Sequence, residues 1–131
     1  MLLDRDLNEY RYKIHAPLLT NDGGLIIHSH GSALVKIDKC NNTVWVNDID
    51  HFHHSAEEDT DGNYWIPSRI YPYSIDEKKV GKNYGDFFDD AITKVSGDGE
   101  ILYQKSVTQI LLDNNLDHLV FSDYVFHGDP I

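Results

Sequence analysis

Two stretches of the chain repeat one pattern of apolar and polar residues, and this repeat limits the folds that the chain can adopt. Residues 33–45 and 91–103 align without a gap at an offset of 58 residues (33 to 91), with lysine at positions 36 and 94. Both place β-branched and aromatic residues on either side of a polar turn, which predicts a β-hairpin in each. In the second copy the turn contains Gly97 and Gly99, and glycine tolerates the positive φ of tight hairpins.

A second pair of segments repeats at a different offset. Residues 22–27 and 61–66 both begin with Asp-Gly and continue into an apolar run, at an offset of 39 residues (22 to 61). Each predicts a turn that leads into a buried strand. The two offsets differ because residues 71–89, rich in Asp, Lys, Gly and Tyr, are predicted to be a loop inserted into the second unit.

Units of about 40 residues with four strands each are typical of β-propellers. We therefore predict an all-β, mainly antiparallel fold made of partial propeller blades with one inserted helix. Residues 1–50 would form parts of two blades, with residues 3–10 resembling 37–44, and residues 53–107 would form one full blade. Its predicted strands are 53–58, 64–70, 91–95 and 101–107. Because repeat units bury their faces against neighbours, we expect residues 1–131 to be a fragment of a larger ring.

Residues 108–121 predict the helix. Thr108 can cap a helix start, and Leu112, Leu116 and Leu119 follow at helical spacing among polar residues. We expect this helix to pack on the sheet, with partner binding as the alternative.

The charge of the chain excludes some functions. Asp and Glu number 22 against 11 Lys and Arg, a formal net charge of −11, which disfavours nucleic acids and anionic membranes. No apolar run is long enough to cross a membrane, and the first residues do not resemble a signal peptide. Cys40 is the single cysteine, and we expect an exposed thiol with no role. Localisation and oligomeric state stay open.

Histidines are the main candidates for chemistry, with eight in the chain. His53 and His54 precede the best-defined turn, and the innermost strand of a propeller blade lines the central channel. Three interpretations stay open: packing within the blade, a metal site using His51 and His53, and a catalytic or anion-binding histidine. Neighbouring strand residues point to opposite faces, so His53 and His54 cannot both face the channel.

Two further patterns were weighed for binding. Asp59, Asp61 and Asn63 have calcium-loop spacing, but Tyr64 stands where an EF-hand needs glycine, so we predict a tight turn and no metal. Arg69 follows Ser68 at the end of a predicted strand. It is either a surface salt-bridge residue or an anion ligand, because guanidinium groups bind oxyanions in a forked geometry.

In their order, several of these segments resemble the bacterial arylsulfotransferase (ASST) family of six-bladed β-propellers. They are residues 2–9, 24–27, 33–45, the His53-His54 pair with the turn at 61–63, and residues 128–131. The resemblance covers essentially the whole chain but about a third of a family-length protein. The family has an aspartate after its two histidines, and this chain has Ser55 there.

The resemblance implies transfer of a sulfuryl group from an aryl sulfate ester to a phenol, through a sulfurylated histidine and without a cofactor. It implies that His54, with His53 as the alternative, binds the sulfuryl group or exchanges a proton with the phenol oxygen. Arg69 would bind the sulfuryl oxygens. Family members are commonly periplasmic or exported. The histidine that becomes sulfurylated would follow the matched motifs, so we expect no turnover from these residues alone.

Two other functions remain. Residues 34–45 also resemble quinoprotein-like propeller repeats, which predicts a non-catalytic scaffold for protein binding. The third interpretation is a small metal-binding β domain.

Overall fold

The computed structural model of the chain describes residues 14, 16–29, 31–76, 78 and 87–120. Within these residues the fold is an antiparallel β-sheet with one α-helix. Its strands are β1 (Leu18–Leu19), β2 (Leu25–Ile27), β3 (Ser32–Ile37), β4 (Thr43–Phe52), β5 (Glu57–Glu58), β6 (Tyr64–Arg69), β7 (Asp90–Val95) and β8 (Ile101–Ser106). The helix is α1 (Val107–Asp113), followed by a 3₁₀ turn at Asp117–Leu119.

The strands form two antiparallel meanders, each built from four strands that are consecutive in the chain. The first meander is β1–β4 and the second is β5–β8. The end of β4 pairs with the end of β6 through His51 opposite Arg69 and Phe52 opposite Ser68. These two pairs join the meanders into one open sheet with β1 and β8 at its edges.

The hydrophobic core lies where the two meanders pack against each other. Alternate residues of β3, β6 and β7 are buried, as the two-residue period of a β-strand requires. The buried residues of the cluster are Ile26, Leu34, Phe52, Ala56, Tyr64, Ile66 and Val95, with Leu18 and Trp45 packed against them. We call the packed faces of the two meanders the inner faces and the opposite ones the outer faces.

Trp45 in β4 ties the first meander to the β7–β8 turn of the second. Its indole Nε1 donates to the carbonyl oxygen of Gly97 at 2.8 Å, and the Asn47 amide donates to the carbonyl of Gly99 at 2.9 Å. A Cβ atom added to Gly99 would lie 2.7 Å from Trp45 Cδ2. The close approach of the indole to this turn therefore requires glycine at position 99.

Four turns among the described residues share one hydrogen-bond pattern. In residues 20–24, 38–42, 59–63 and 96–100, the first N–H donates to the fifth carbonyl at 2.7–2.9 Å, and the fourth N–H donates to the first carbonyl. The fourth residue has positive φ in each: Gly23, Asn41, Gly62 and Gly99. This is a hairpin loop closed by a residue in the left-handed region. The turns predicted at Asp61-Gly62 and Gly97-Gly99 are confirmed.

Three of the four strands predicted for the second unit agree with β6, β7 and β8 to within one residue. The predicted strand 53–58 is wrong over most of its length, because only Glu57–Glu58 is extended and paired. His54 has φ 59°, which interrupts an extended chain between β4 and β5. The predicted loop at 71–89 contains no strand in its described part.

The predicted helix 108–121 is shorter in the structure and begins earlier. Ser106, not Thr108, caps α1, with its Oγ accepting from the N–H of Gln109 at 3.1 Å. The helix ends at Asp113 because Asn115 adopts φ 58°. The predictions for residues 1–13 and 121–131 lie outside the described residues. No helix among the described residues is long and apolar enough to span a membrane.

Candidate functional site

His53 lies directly after β4, and its neighbour Phe52 fixes it in place. Phe52 is fully buried in the core, and the backbone N–H of His53 donates to the carbonyl of Pro67 in β6 at 3.1 Å. The imidazole is also buried, with 4% of the residue exposed, and its Nε2 lies 3.2 Å from Asp90 Oδ1. The imidazole and the carboxylate are therefore close enough to form an ion pair when the ring is protonated.

Asp90 also binds Arg69. The two residues lie directly opposite each other in the β6–β7 pairing, and Arg69 Nε is 3.4 Å from the same Asp90 oxygen. The Arg69 guanidinium stacks on the ring of Phe88, with 4.1 Å between Cζ and the ring centroid. Asp90 and Phe88 are about half exposed, so this cluster reaches the surface of the protein.

His54 is exposed, in contrast to His53. The two rings meet edge to face with centroids 4.9 Å apart. Its φ of 59° is unusual for a residue with a side chain, and such strained residues need support from their surroundings. The two side chains therefore differ in burial although their rings are in contact, and neither residue lies in a strand, so the alternation expected for strand neighbours does not apply to them.

His28, at the end of β2, supports the His54 backbone. Its buried ring places Nε2 2.7 Å from the carbonyl oxygen of His54, and Nδ1 3.2 Å from the carbonyl of Ser29. Both partners are carbonyl oxygens, so a ring nitrogen that bonds to either of them does so as an N–H donor. His28 of the first meander therefore contacts the backbone of His54, which lies in the segment that connects the two meanders.

Ser68 and Arg69 are neighbours in sequence but lie on opposite faces of β6. Ser68 is fully buried on the inner face, where its hydroxyl bonds to Asp50 at 3.1 Å and to Thr93 at 2.7 Å. The Gln104 amide donates to all three side chains. Of the Ser68-Arg69 pair, only Arg69 is therefore placed to meet a ligand.

His51 and His53, the pair considered for a metal site, differ in their exposure. His51 is exposed and His53 is buried, because β4 ends between them at Phe52. No group of three His, Cys, Asp or Glu side chains in the described part of the chain is arranged to hold a metal ion. The Asp59 carboxylate stabilises the turn at 59–63, where it accepts hydrogen bonds from the N–H groups of Asp61 and Asn63. It also pairs with Lys94 at 2.8 Å.

A shallow hollow of about 180 Å³ lies on the outer face of the second meander, beside the cluster of Arg69, Phe88 and Asp90. The residues that line it are Ser55, Glu57, Trp65, Ile66, Pro67 and Ile92. Neither His53, His54 nor Arg69 is among these lining residues.

A scan against models of protein families matches residues 16–129 to the arylsulfotransferase (ASST) family. The chain belongs to the arylsulfotransferase family. The match covers most of the chain, and it suggests an arylsulfotransferase-like function. No curated protein matches the chain.

Two residues of this candidate site, Asp90 and His28, were not predicted from the sequence. Asp90 falls between the loop predicted at 71–89 and the strand predicted at 91–95 and was given no role, and its proximity to Arg69 follows from the β6–β7 register. His28 was not singled out among the eight histidines. Its spacing to His54 carries no signal, because the contact depends on how the two meanders pack.

Proposed function

We propose that the chain contributes a sulfuryl-binding site to an arylsulfotransferase built on a β-propeller. His54 and Arg69 would bind the oxygens of an aryl sulfate, and Asp90 would orient His53 behind them. The observation that carries the proposal is that His53 and Arg69 converge on one Asp90 oxygen beside the exposed His54, in a chain of this family.

The arrangement of the meanders supports the propeller part of the proposal. Propeller blades are four-stranded antiparallel sheets that pack face to face around an axis. The two meanders are four-stranded, pack by their inner faces, and share one turn geometry at four places among the described residues. We interpret the second meander as the blade predicted at 53–107, with residues 1–50 belonging to two other blades and residues 108–121 inserted before the next.

The side chains of the cluster fit the chemistry of a sulfate ester. A sulfuryl group presents three oxygens that carry negative charge, and guanidinium and imidazole N–H groups are suitable donors to them. Asp90 accepts from Arg69 Nε, which leaves the terminal guanidinium nitrogens as the donors for a ligand. The half-exposed Phe88 ring beside Arg69 offers an aromatic surface for the aryl group.

We assign to Asp90 the role of the aspartate that follows the two histidines in the family pattern, where this chain has Ser55. An aspartate paired with an imidazole fixes the tautomer of the ring and stabilises its cationic form. In the structure the partner comes from β7, 3.2 Å from His53 Nε2. The pairing therefore supplies the orientation that a serine at position 55 cannot.

In the proposed reaction the S–O bond of the donor ester breaks and a bond from sulfur to an imidazole nitrogen forms. The departing phenolate oxygen takes a proton. In the second step the bond from sulfur to the imidazole nitrogen breaks while the oxygen of the acceptor phenol, which loses its proton, bonds to sulfur. We assign His54 to binding the sulfuryl oxygens and to this proton exchange. Because this role is not that of the sulfurylated nucleophile, we expect binding without turnover from the 131-residue chain.

Titration calorimetry with phenyl sulfate tests the proposal. Removing a charge-assisted hydrogen bond costs about 1.5–3 kcal/mol, so Arg69→Met is expected to weaken binding about tenfold or more. His54→Ala should also weaken it, whereas His118→Ala, which removes an exposed histidine of the 3₁₀ turn, should not. Phenol alone should bind far more weakly. Equal affinity of the wild type and Arg69→Met, or no binding by the wild type, would contradict the proposal.

One observation favours a second function, a non-catalytic scaffold of the quinoprotein-like type. The docking of Trp45 on the Gly97–Gly99 segment is a structural contact that needs no ligand. A scaffold would bind neither phenyl sulfate nor phenol in the same titration, and the His54 and Arg69 variants would then be indistinguishable from the wild type.

A further inference from the structure

Four aromatic side chains lie in the described part of the segment between β6 and β7, next to Arg69. The rings of Tyr71 and Tyr73 meet edge to face with centroids 5.9 Å apart, and those of Tyr73 and Phe87 meet edge to face at 5.5 Å. The fourth ring follows Phe87 directly in the chain and stacks on the Arg69 guanidinium. We call these four residues the aromatic loop cluster: Tyr71, Tyr73, Phe87 and Phe88.

Asp89 holds the backbone on either side of the two tyrosines. Its carbonyl oxygen accepts from the N–H of Ile70 at 2.9 Å, which extends the contact between the two chain segments by one residue beyond the paired strands. Its fully buried carboxylate accepts from the N–H and the Oγ of Ser74 at 2.7 and 2.6 Å, and from the Oγ of Ser106 at 2.6 Å. A buried carboxylate is costly without its donors, so these contacts fix the loop against β7 and α1.

The cluster presents an aromatic surface to solvent beside the proposed sulfuryl site. Tyr71 is 84% exposed and Phe88 is 55% exposed, whereas Tyr73 and Phe87 are partly buried. Contiguous exposed apolar groups next to polar ones are typical of ligand-binding surfaces. Propeller blades pack against each other by the faces of their strands, and this surface lies instead at the ends of β6 and β7. The packing of neighbouring blades therefore does not require it.

We propose that the aromatic loop cluster is a second aryl subsite, and that the sulfuryl site prefers esters with two aromatic rings over phenyl sulfate. The first ring of the ligand lies at Phe88 beside Arg69, and the second ring joins the edge-to-face series at Tyr71. Edge-to-face aromatic pairs are stabilised beyond the area that they bury, which favours an aromatic second ring over a saturated one. This proposal rests on the sulfuryl site proposed above and adds the class of substrate to it.

Titration calorimetry with phenyl sulfate, biphenyl-4-yl sulfate and 4-cyclohexylphenyl sulfate tests the proposal. One additional aromatic pair should make the biphenyl ester bind about two- to tenfold more tightly than phenyl sulfate. The cyclohexyl ester has a second ring of similar size without π electrons, so its gain over phenyl sulfate should be smaller.

Variants assign the preference to the loop. Tyr71→Ala should reduce the affinity ratio of the biphenyl ester to phenyl sulfate to about one, and Tyr71→Phe, which keeps the ring, should retain the ratio. Ser74→Ala removes one of the donors to Asp89 and should lower the ratio by a smaller factor. Tyr103→Ala is the matched control, because it removes an exposed tyrosine of β8 outside the cluster and should leave the ratio unchanged.

Two results would overturn the subsite and leave the proposed function standing. They are equal affinities of the wild type for the phenyl and biphenyl esters, and a ratio that Tyr71→Ala does not change, in each case with phenyl sulfate binding still weakened by Arg69→Met. A gain from the cyclohexyl ester equal to that from the biphenyl ester would overturn the preference for an aromatic second ring. Absence of binding of every ester to the wild type would contradict the sulfuryl site itself, and the subsite with it.

Discussion

Replacing Gly99 by alanine tests whether the two meanders pack through Trp45. Gly99 has φ 91°, and an added Cβ would lie 2.7 Å from Cδ2 and 2.9 Å from Cγ of the Trp45 indole. Real Cβ atoms do not approach other atoms so closely, so the indole or the turn must move. Gly62→Ala is the matched control, because Gly62 has φ 77° in an equivalent turn and nothing lies within 4 Å of its added Cβ.

The magnitudes separate the two variants. Placing a side chain at positive φ costs about 1–2 kcal/mol, which both variants share. Overpacking against a fixed neighbour adds about 1–3 kcal/mol for Gly99→Ala alone. Urea unfolding followed by circular dichroism should therefore show Gly99→Ala losing about 2–5 kcal/mol and Gly62→Ala about 1–2 kcal/mol.

A double-mutant cycle completes the test. In a Trp45→Leu background the indole is absent, so Gly99→Ala should cost no more than Gly62→Ala does. The coupling between positions 45 and 99 should be about 1–3 kcal/mol. If Gly99→Ala and Gly62→Ala destabilise the wild type equally, Trp45 does not contact the turn and the packing of the meanders described above is incorrect.

Three further predictions concern single side chains. The ion pair with Lys94 and the N–H of Asn63 hold the pKa of Asp59 below its usual range, so the contribution of Asp59 to stability is present above about pH 4 and is lost as pH falls further. The urea midpoint of Asp59→Asn should be lower than that of the wild type at neutral pH and should change less on acidification. An acid dependence equal to that of the wild type would refute this. Ser106→Ala should lose about 2–4 kcal/mol in urea unfolding, because Ser106 caps α1 and also donates to the fully buried Asp89 at 2.6 Å; Ser106→Thr should recover much of the loss, and equal stability of all three proteins would contradict it. His28→Ala should cost about 1–3 kcal/mol and also weaken phenyl sulfate binding, because the His54 carbonyl loses its donor; unchanged affinity in calorimetry would show that His28 does not position His54.

The hairpins were predictable from the sequence because their signals are local. The apolar residues around residues 38–42 and 96–100 alternate with a period of two, and the glycines and asparagines that end each turn suit positive φ. The start of β6 follows from the turn at 59–63, and the end of β7 and the start of β8 follow from the turn at 96–100. The helix was predicted too long because the spacing of Leu112, Leu116 and Leu119 continues through residues that do not remain helical. Asn114 and Asn115 end α1, which apolar periodicity alone does not register.

The candidate site was only partly predictable, because its contacts join distant parts of the chain. His53, His54 and Arg69 were found from residue type and from the family resemblance. Asp90 becomes their partner through the β6–β7 register, and His28 through the packing of one meander on the other. The strand predicted at 53–58 failed because a residue in the left-handed region at His54 cannot be recognised from a histidine in the sequence.

A crystal structure of the chain with 4-bromophenyl sulfate would test the central claim most directly. The bromine and sulfur positions locate the ligand and its orientation independently of one another. We expect sulfuryl oxygens within hydrogen-bond distance of the His54 ring and the Arg69 guanidinium, with the aryl ring near Phe88. A sulfate ester bound elsewhere on the chain, with His54 and Arg69 untouched, would contradict it.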